Sequence, residues 1–507
     1  MWGYGPLIAL VATFLLMITL VPSTSTNRAA NDGAPPPAPK DIVADRPASG
    51  DGTICAQAGA QIEGDPYSPP CFVFSGDNGG ATAKGVTPTD ITVTYRDQSA
   101  PDLVSVLAAS NPEVQTATNT SDDIARTMAG LVEYFNKHMQ FWGRRLTITR
   151  YQGSGNNLVE LLGGGQEKAN TDANAAADDE RAFADLSAVT QPYNEALAKK
   201  KVVAIGAPYL TDGYFTRLRP YAWSEAPSCS LVTRVAVDFA TRTLLGNPAV
   251  FAGRELNGKP RRFAVIRPDN GEYRKCGDDG VAQVQAAGYT VDILDYQLSP
   301  ATMNDQAAGV VSRLKTEQYT TVGCACDPLF PFYVTSKAKD QGYEPEWLVM
   351  GTALTDTDEV AALYDQDEWS RAFGASVLGK QTPPRETLAY KAFKEVRPDE
   401  EPASNVSTLY SQAYILALGV QMAGPTLTPD NFEKGLFAAT QKSGEAGAWK
   451  FAPGKYTPQQ DQEVIWWQTE QLSAVTGRPG TYARSGQRFP LGGLPTGPPD
   501  LFATSSR

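Results

Sequence analysis

Histidine is almost missing from this chain: His138 is the single one in 507 residues. Any Ser/His or Cys/His catalytic pair would depend on that one side chain, and most histidine-based metal sites are removed. His138 sits in the helical pattern "LVEYFNKHMQFW", where a surface or interface position suits it better than the work of a general base. Cationic charge is short as well. Lys+Arg 44 against Asp+Glu 56 gives a net charge of −12, so no broad basic surface is available to neutralise phosphates, and nucleic acid is not expected as a partner. A CxxC pair is also lacking. The cysteines, Cys55, Cys71, Cys229, Cys276, Cys324 and Cys326, include only a CxC, which argues against zinc or redox chemistry and for disulfides in an exported chain. Only Cys55 with Cys71 is local, closing a Pro/Gly-rich loop for about 3 kcal/mol in the chain-entropy model, and the other pairings stay open.

Two motifs fall short of their chemistry. "GASVLGKQ", Gly374 to Gln381, has phosphate-loop spacing as far as Lys380, but Gln381 stands where Ser or Thr must hold magnesium. It also follows "DEWSRAF", which reads as helix rather than strand. "QGSGNN" lacks the glycines two away on both sides of a serine that a nucleophile elbow requires. No catalytic residue, metal site, cofactor or enzymatic activity is expected.

What is present is an exported, two-lobed α/β pattern. The charge-free run from Leu7 to Val21 is short for a membrane span and typical of a signal-peptide core, so residues 1–30 read as a signal peptide or N-terminal anchor. Cys55 lies too far downstream to be a lipid-attachment residue. "NDGAPPPAPK" is a Pro-rich spacer, and residues 31–85 form a spacer and cysteine-bearing lead-in. From Val86, short β-branched runs alternate with helical stretches: "ITVTYR", "IARTMAGLVEYFNKHMQFWG", "RLTITRY", "AFADLSAV" and "VVAIGAP". A second series follows with the strands "RFAVIRP", "TVDILDYQ", "TTVGCAC" and "EWLVMG". The runs are short and nearly continuous, as parallel strands covered on both faces require. The fold class expected is α/β, with two doubly wound parallel-sheet lobes joined by a three-stranded hinge. The first lobe spans 86–228 and 369–444, the second 229–368, with 445–507 as a return to the second lobe and an irregular Gly/Pro-rich tail after Gly477.

Open α/β sheets bind ligands beyond the carboxyl ends of their strands. Here those ends carry Ser187 after "FADL", Ala207 to Tyr209 after "VVAIG", Asp269 to Tyr273 after "FAVIRP", Asp327 after "GCAC" and Thr352 after "WLVMG". Two such sheets facing across a cleft suit a small polar ligand better than a covalent reaction.

These segments resemble the branched-chain amino-acid type of periplasmic binding protein, the type I receptors of ABC transporters that include the leucine/isoleucine/valine-binding protein. "KGVTPTDITVTY" resembles the opening strand, "MAGLVEYFNKHMQFWGRRLTI" the helix and strand that follow, and "YSQAYILALGVQMAGPTLTPDNFEKGL" the closing helix pair. The resemblance implies that "LSAVTQP" grips a ligand carboxylate through Ser187, with Thr190 and Gln191 opening the next helix. It implies backbone contacts at Pro208, Tyr209 and Leu210, and a ligand-covering Tyr273. Three departures stand out. "RDQSAPDLVSVL" lacks the Gly/Ser-rich ligand turn, so Arg96, Asp97 and Gln98 are expected to meet a different headgroup. "MGTALTD" carries no Glu for an ammonium, and the CxC and lead-in cysteines are additions. The function implied is a monomeric extracytoplasmic receptor that closes over an amino acid, amide or short-peptide-like ligand and delivers it to an ABC permease. The alternative is a ligand-sensing domain of a signalling system.

Overall fold

The computed structural model describes residues 60–502 apart from 63, 71–73, 75, 99–118, 254, 300 and 445. The apolar N-terminal run, the Pro-rich spacer and the Cys55–Cys71 pair lie outside the described residues.

In the first lobe, β1 (Asp90–Asp97), β2 (Arg145–Gln152), β3 (Ala184–Asp185), β4 (Val203–Ile205) and β5 (Ala222–Trp223) form a parallel sheet in the order β2-β1-β3-β4-β5. Ile91 and Val93 of β1 are fully buried, as strands roofed on both sides must be. Helix α1 (Ser121–His138) opens on a capping box, in which Thr120 and Asp123 satisfy each other's backbone N–H groups, and closes on Lys137 and His138, matching the helix dipole at both ends. Its stripe of Met128, Leu131, Val132 and Phe135 seals one face of the sheet. Helices α2 (Asn157–Leu161), α3 (Gln166–Asn174), α4 (Gln191–Lys199) and α5 (Asp212–Arg217) complete this part.

The chain then crosses to the second lobe through residues 224–228. There it builds α6 (Cys229–Phe239), β6 (Phe263–Pro268), α7 (Gly271–Ala286), β7 (Val291–Tyr296), α8 (Met303–Thr316), β8 (Thr321–Cys324), α9 (Phe330–Asp340) and β9 (Glu346–Val349). The short helices α10 (Asp358–Ala361) and α11 (Gln366–Trp369) lead to β10 (Ala372–Ser376). The first lobe was expected to resume at Trp369. Instead β10 pairs parallel with β9, so the second lobe runs on to Ser376. Gly374 permits this: a Cβ there would stand 2.3 Å from the Val349 carbonyl oxygen, so only a bare backbone fits. "GASVLGKQ" therefore starts on a strand and continues into the second crossing, with no helix opening behind it.

Helices α12 (Leu388–Val396), α13 (Val406–Met422) and α14 (Pro429–Ala438) return to the first lobe, followed by the hairpin β11 (Lys442–Gly444) and β12 (Gly447–Trp449). Their apolar side chains join the core under β1 to β5. A third crossing leads to β13 (Asp461–Leu472) and β14 (Pro479–Pro490), which pair antiparallel on the edge of the second sheet in the order β14-β13-β10-β9-β8-β6-β7. The tail after Gly477 was expected to be irregular, and β14 corrects that. Its prolines sit at the strand ends, and Gly480 lies where a Cβ would strike the Trp467 ring at 2.6 Å, so an edge strand absorbs residues that would break a central one.

Candidate functional site

The carboxyl ends of the parallel strands of both sheets face one cleft of about 300 Å³ between the lobes. The first lobe contributes Glu160, Val189, Gln191, Glu195, Pro208 and Leu210, and the second contributes Asn270, Glu272, Tyr273 and Lys275. Pro208, Leu210 and Tyr273, each expected from sequence to touch a ligand, thus meet across it. Tyr273 lies on the first turn of α7, which Asn270 caps by accepting from the Glu272 amide. Burial, with the charge of Asp327 adding to it, pushes the Tyr273 phenol up to about 12, so it stays a neutral hydrogen-bonding group.

Beneath the cleft floor of the first lobe lies a buried polar network. Arg96 pairs with Glu160 through both oxygens, at 2.9 and 3.0 Å, and with Asp172 at 3.2 Å, and its guanidinium lies 3.6 Å from the Tyr193 ring centre. Thr190 donates to the same Glu160. Ser187 belongs to this network. Its hydroxyl donates to Asp185 at 2.7 Å and accepts from the Arg96 amide at 2.8 Å, so the proton a ligand carboxylate would need is already committed. Asp185 also takes bonds from Thr94 and Tyr193, and burial holds its carboxyl above the ordinary range.

Asp97 and Gln98 are tied down in a similar way. Asp97 accepts from Arg150 at 2.6 and 2.9 Å, and Gln98 Oε1 accepts from the Asn157 amide at 2.7 Å; neither is among the residues lining this cleft. Tyr209, at φ 56°, sends its hydroxyl across to accept from the Leu354 amide at 3.1 Å, a bond between the lobes. Ala353 and Leu354 also have positive φ, at 48° and 63°, so backbone strain gathers at this contact. A second link joins the lobes where Thr211 donates to Glu272 at 2.7 Å. Burial raises the Glu272 carboxyl, but bonds from Lys275 and Thr211 outweigh this and hold it below its ordinary value.

In the second lobe, Asp327 accepts from the Tyr296 hydroxyl and from the Leu329 amide at 2.8 Å, and burial raises its carboxyl. Thr352 donates to the Cys324 carbonyl at 3.4 Å. Cys324 bonds to Cys326, and Cys229 bonds to Cys276, tying α6 to α7. Four of the six candidate cysteines are thereby paired. His138 lies far from this chemistry, with Nε2 2.7 Å from Glu395. Among the described residues no group of His, Cys, Asp and Glu is placed to hold a metal.

No protein-family model matches the sequence, and no curated protein matches it. Solved structures do. A solute-binding protein of an ABC transporter from R. palustris, in complex with 4-hydroxybenzoate, superposes with a TM-score of 0.56 at 12% identity, covering 79% of this chain and 97% of that one. The fold is that of a type I periplasmic binding protein. A fatty acid ABC transporter substrate-binding protein from Thermomonospora curvata shares this periplasmic binding protein fold at TM-score 0.53 and 14% identity, covering 81% and 98% of the two chains. A branched-chain amino acid transporter substrate-binding protein from Streptococcus pneumoniae, in complex with isoleucine, does so at 0.50 and 12%, covering 78% and 100%. Within this binding-protein fold, sequence reasoning missed Glu160, Glu195 and Lys275. Glu160 stands in "NNLVELLGGG", where only its pairing with a distant buried arginine gives it meaning.

Proposed function

We propose that the chain is an extracytoplasmic solute receptor whose lobes close over a small polar ligand and hand it to an ABC permease. The observation that carries this reading is the cleft itself, set between the carboxyl ends of two parallel sheets on lobes joined by three crossings, with hydrogen bonds Tyr209 to Leu354 and Thr211 to Glu272 spanning it. A ligand touching Pro208 and Leu210 on one side and Tyr273 on the other gains its full contacts only when the lobes are closed, so binding shifts the hinge equilibrium by that difference in affinity. The single histidine, tied to Glu395, supports a role without catalysis.

The solved structures of this fold with 4-hydroxybenzoate and isoleucine supply the first compounds to try. Thermal-shift screening of aromatic acids, amino acids, amides and short peptides, followed by small-angle scattering, tests the reading. A binder is expected to raise the melting temperature and reduce the radius of gyration. Turnover of a substrate with no such binder would sink it.

A further inference from the structure

We infer that a second, apolar chamber inside the second lobe receives the hydrocarbon end of the ligand whose polar end occupies the cleft. The inference rests on the receptor reading above and names the class of ligand: an amphipathic small molecule with a short alkyl tail.

The chamber measures about 70 Å³ and lies between helices α6 and α7 and the second sheet. Its walls are Ala236 of α6, Val281 and Val284 of α7, and Val265, Ile293 and Leu348 of the sheet. Tyr273 lines both this chamber and the cleft, so one side chain stands between the two spaces. Thr352 and Ala325 mark the same end, because they follow β9 and β8 on the side that faces the first lobe. Phe263 and Val291, the first residues of β6 and β7, mark the other. The walls of the chamber therefore reach from the cleft end of the second sheet back toward the first residues of β6 and β7.

Local sequence explains why the space exists. At Gly280 a Cβ would come within 2.9 Å of the Thr233 methyl, so α6 and α7 touch there through a bare backbone. Around that contact, Val265, Val291 and Ile293 remain only partly covered beneath the helix. The Cys229–Cys276 disulfide, itself part of the wall, clamps α7 at the cleft end. A largely apolar space of this kind gives water few partners, whereas an apolar group placed in it recovers missing dispersion contacts. Its volume is about half of the roughly 150 Å³ that holds a benzene ring in an engineered core, enough for about three or four carbons.

The test is calorimetry on the full chain with straight-chain amides from acetamide to octanamide, alongside isoleucine and 4-hydroxybenzoate. Affinity is expected to rise about fourfold per methylene and to level off after about four tail carbons. Ala236→Leu and Val265→Phe, each checked for native circular dichroism, should flatten the rise while acetamide affinity holds. The plateau in the parent protein carries the test even where a variant fails to fold. A flat series in the parent, with isoleucine or 4-hydroxybenzoate still closing the lobes, overturns the chamber and leaves the receptor reading standing. Equal slopes in the parent and folded variants likewise overturn it. If no amide binds, the chamber falls, and the receptor reading falls with it only where the wider screen gives no binder and a substrate is turned over.

Discussion

The hydroxyl of Ser187 has one proton, and Asp185 takes it. Replacing Ser187 with Ala should therefore cost stability rather than affinity. About 1 to 3 kcal/mol is expected, because Asp185 and the Arg96 amide each lose a buried partner. Urea unfolding together with a titration of any binder checks this, and a tenfold loss of affinity at unchanged stability would return Ser187 to the site. Sequence alone showed the serine at a strand end but could not show Asp185 two residues earlier turning back to meet it. Pro208 was placed by its position just past a strand end, whereas Leu210 came only from the family resemblance. Glu225, in the first crossing, has a pH signature of its own. Burial raises its carboxyl from 4.5 to about 7; Gln412 donates to one oxygen at 3.0 Å, while the other is buried without a partner. A raised carboxyl contributes stability below its unfolded value that is lost as pH climbs through its folded value. The window thus runs from about 4.5 to 7, with a contribution of about 3 kcal/mol. Glu225→Gln should be more stable than the parent at pH 8 and lose that advantage at pH 5, as read by urea unfolding at the two pH values.

At the scale of elements, the two disulfides ought to behave differently. Cys229 and Cys276 are 47 residues apart and join two helices, whereas Cys324 and Cys326 are two apart and constrain one strand end. In the chain-entropy model the first contributes about 4 kcal/mol and the second less than about 2. Paired Cys→Ser variants measured by denaturant unfolding should separate them in that order, and equal losses would contradict the assignment. The strands of the two βα series were readable because parallel strands buried on both faces leave short apolar runs bounded by turn residues. Strands β5, β10 and β14 escaped for a different reason. Ala222–Trp223 is too short to carry a period, while Gly374 and Gly480 look like breaks until the neighbour that forbids a Cβ is known.

For the whole molecule, Tyr209 offers a clean probe of closure, since Phe removes one oxygen and nothing else. The Leu354 amide would lose its partner, weakening the closed state by about 0.5 to 1.5 kcal/mol and raising the open fraction up to about tenfold. Ligand-free Tyr209→Phe should scatter with a larger radius of gyration than the parent; identical profiles would mean that this bond does not hold the lobes together. The two-lobed plan itself could be read from the alternation of elements, but the point of return could not, because it turns on whether Ala372–Ser376 pairs with β9. The three crossings also bear on synthesis. Helices α12 to α14 belong to the first core and strand β13 to the second sheet, so each lobe waits for chain made long after its own beginning. A nascent chain stopped before residue 461 would leave the flank of β10 bare, a ready template for pairing with another molecule. Such an order of assembly keeps both halves unfinished until the final stretch emerges, which makes native folding an event of the finished polypeptide.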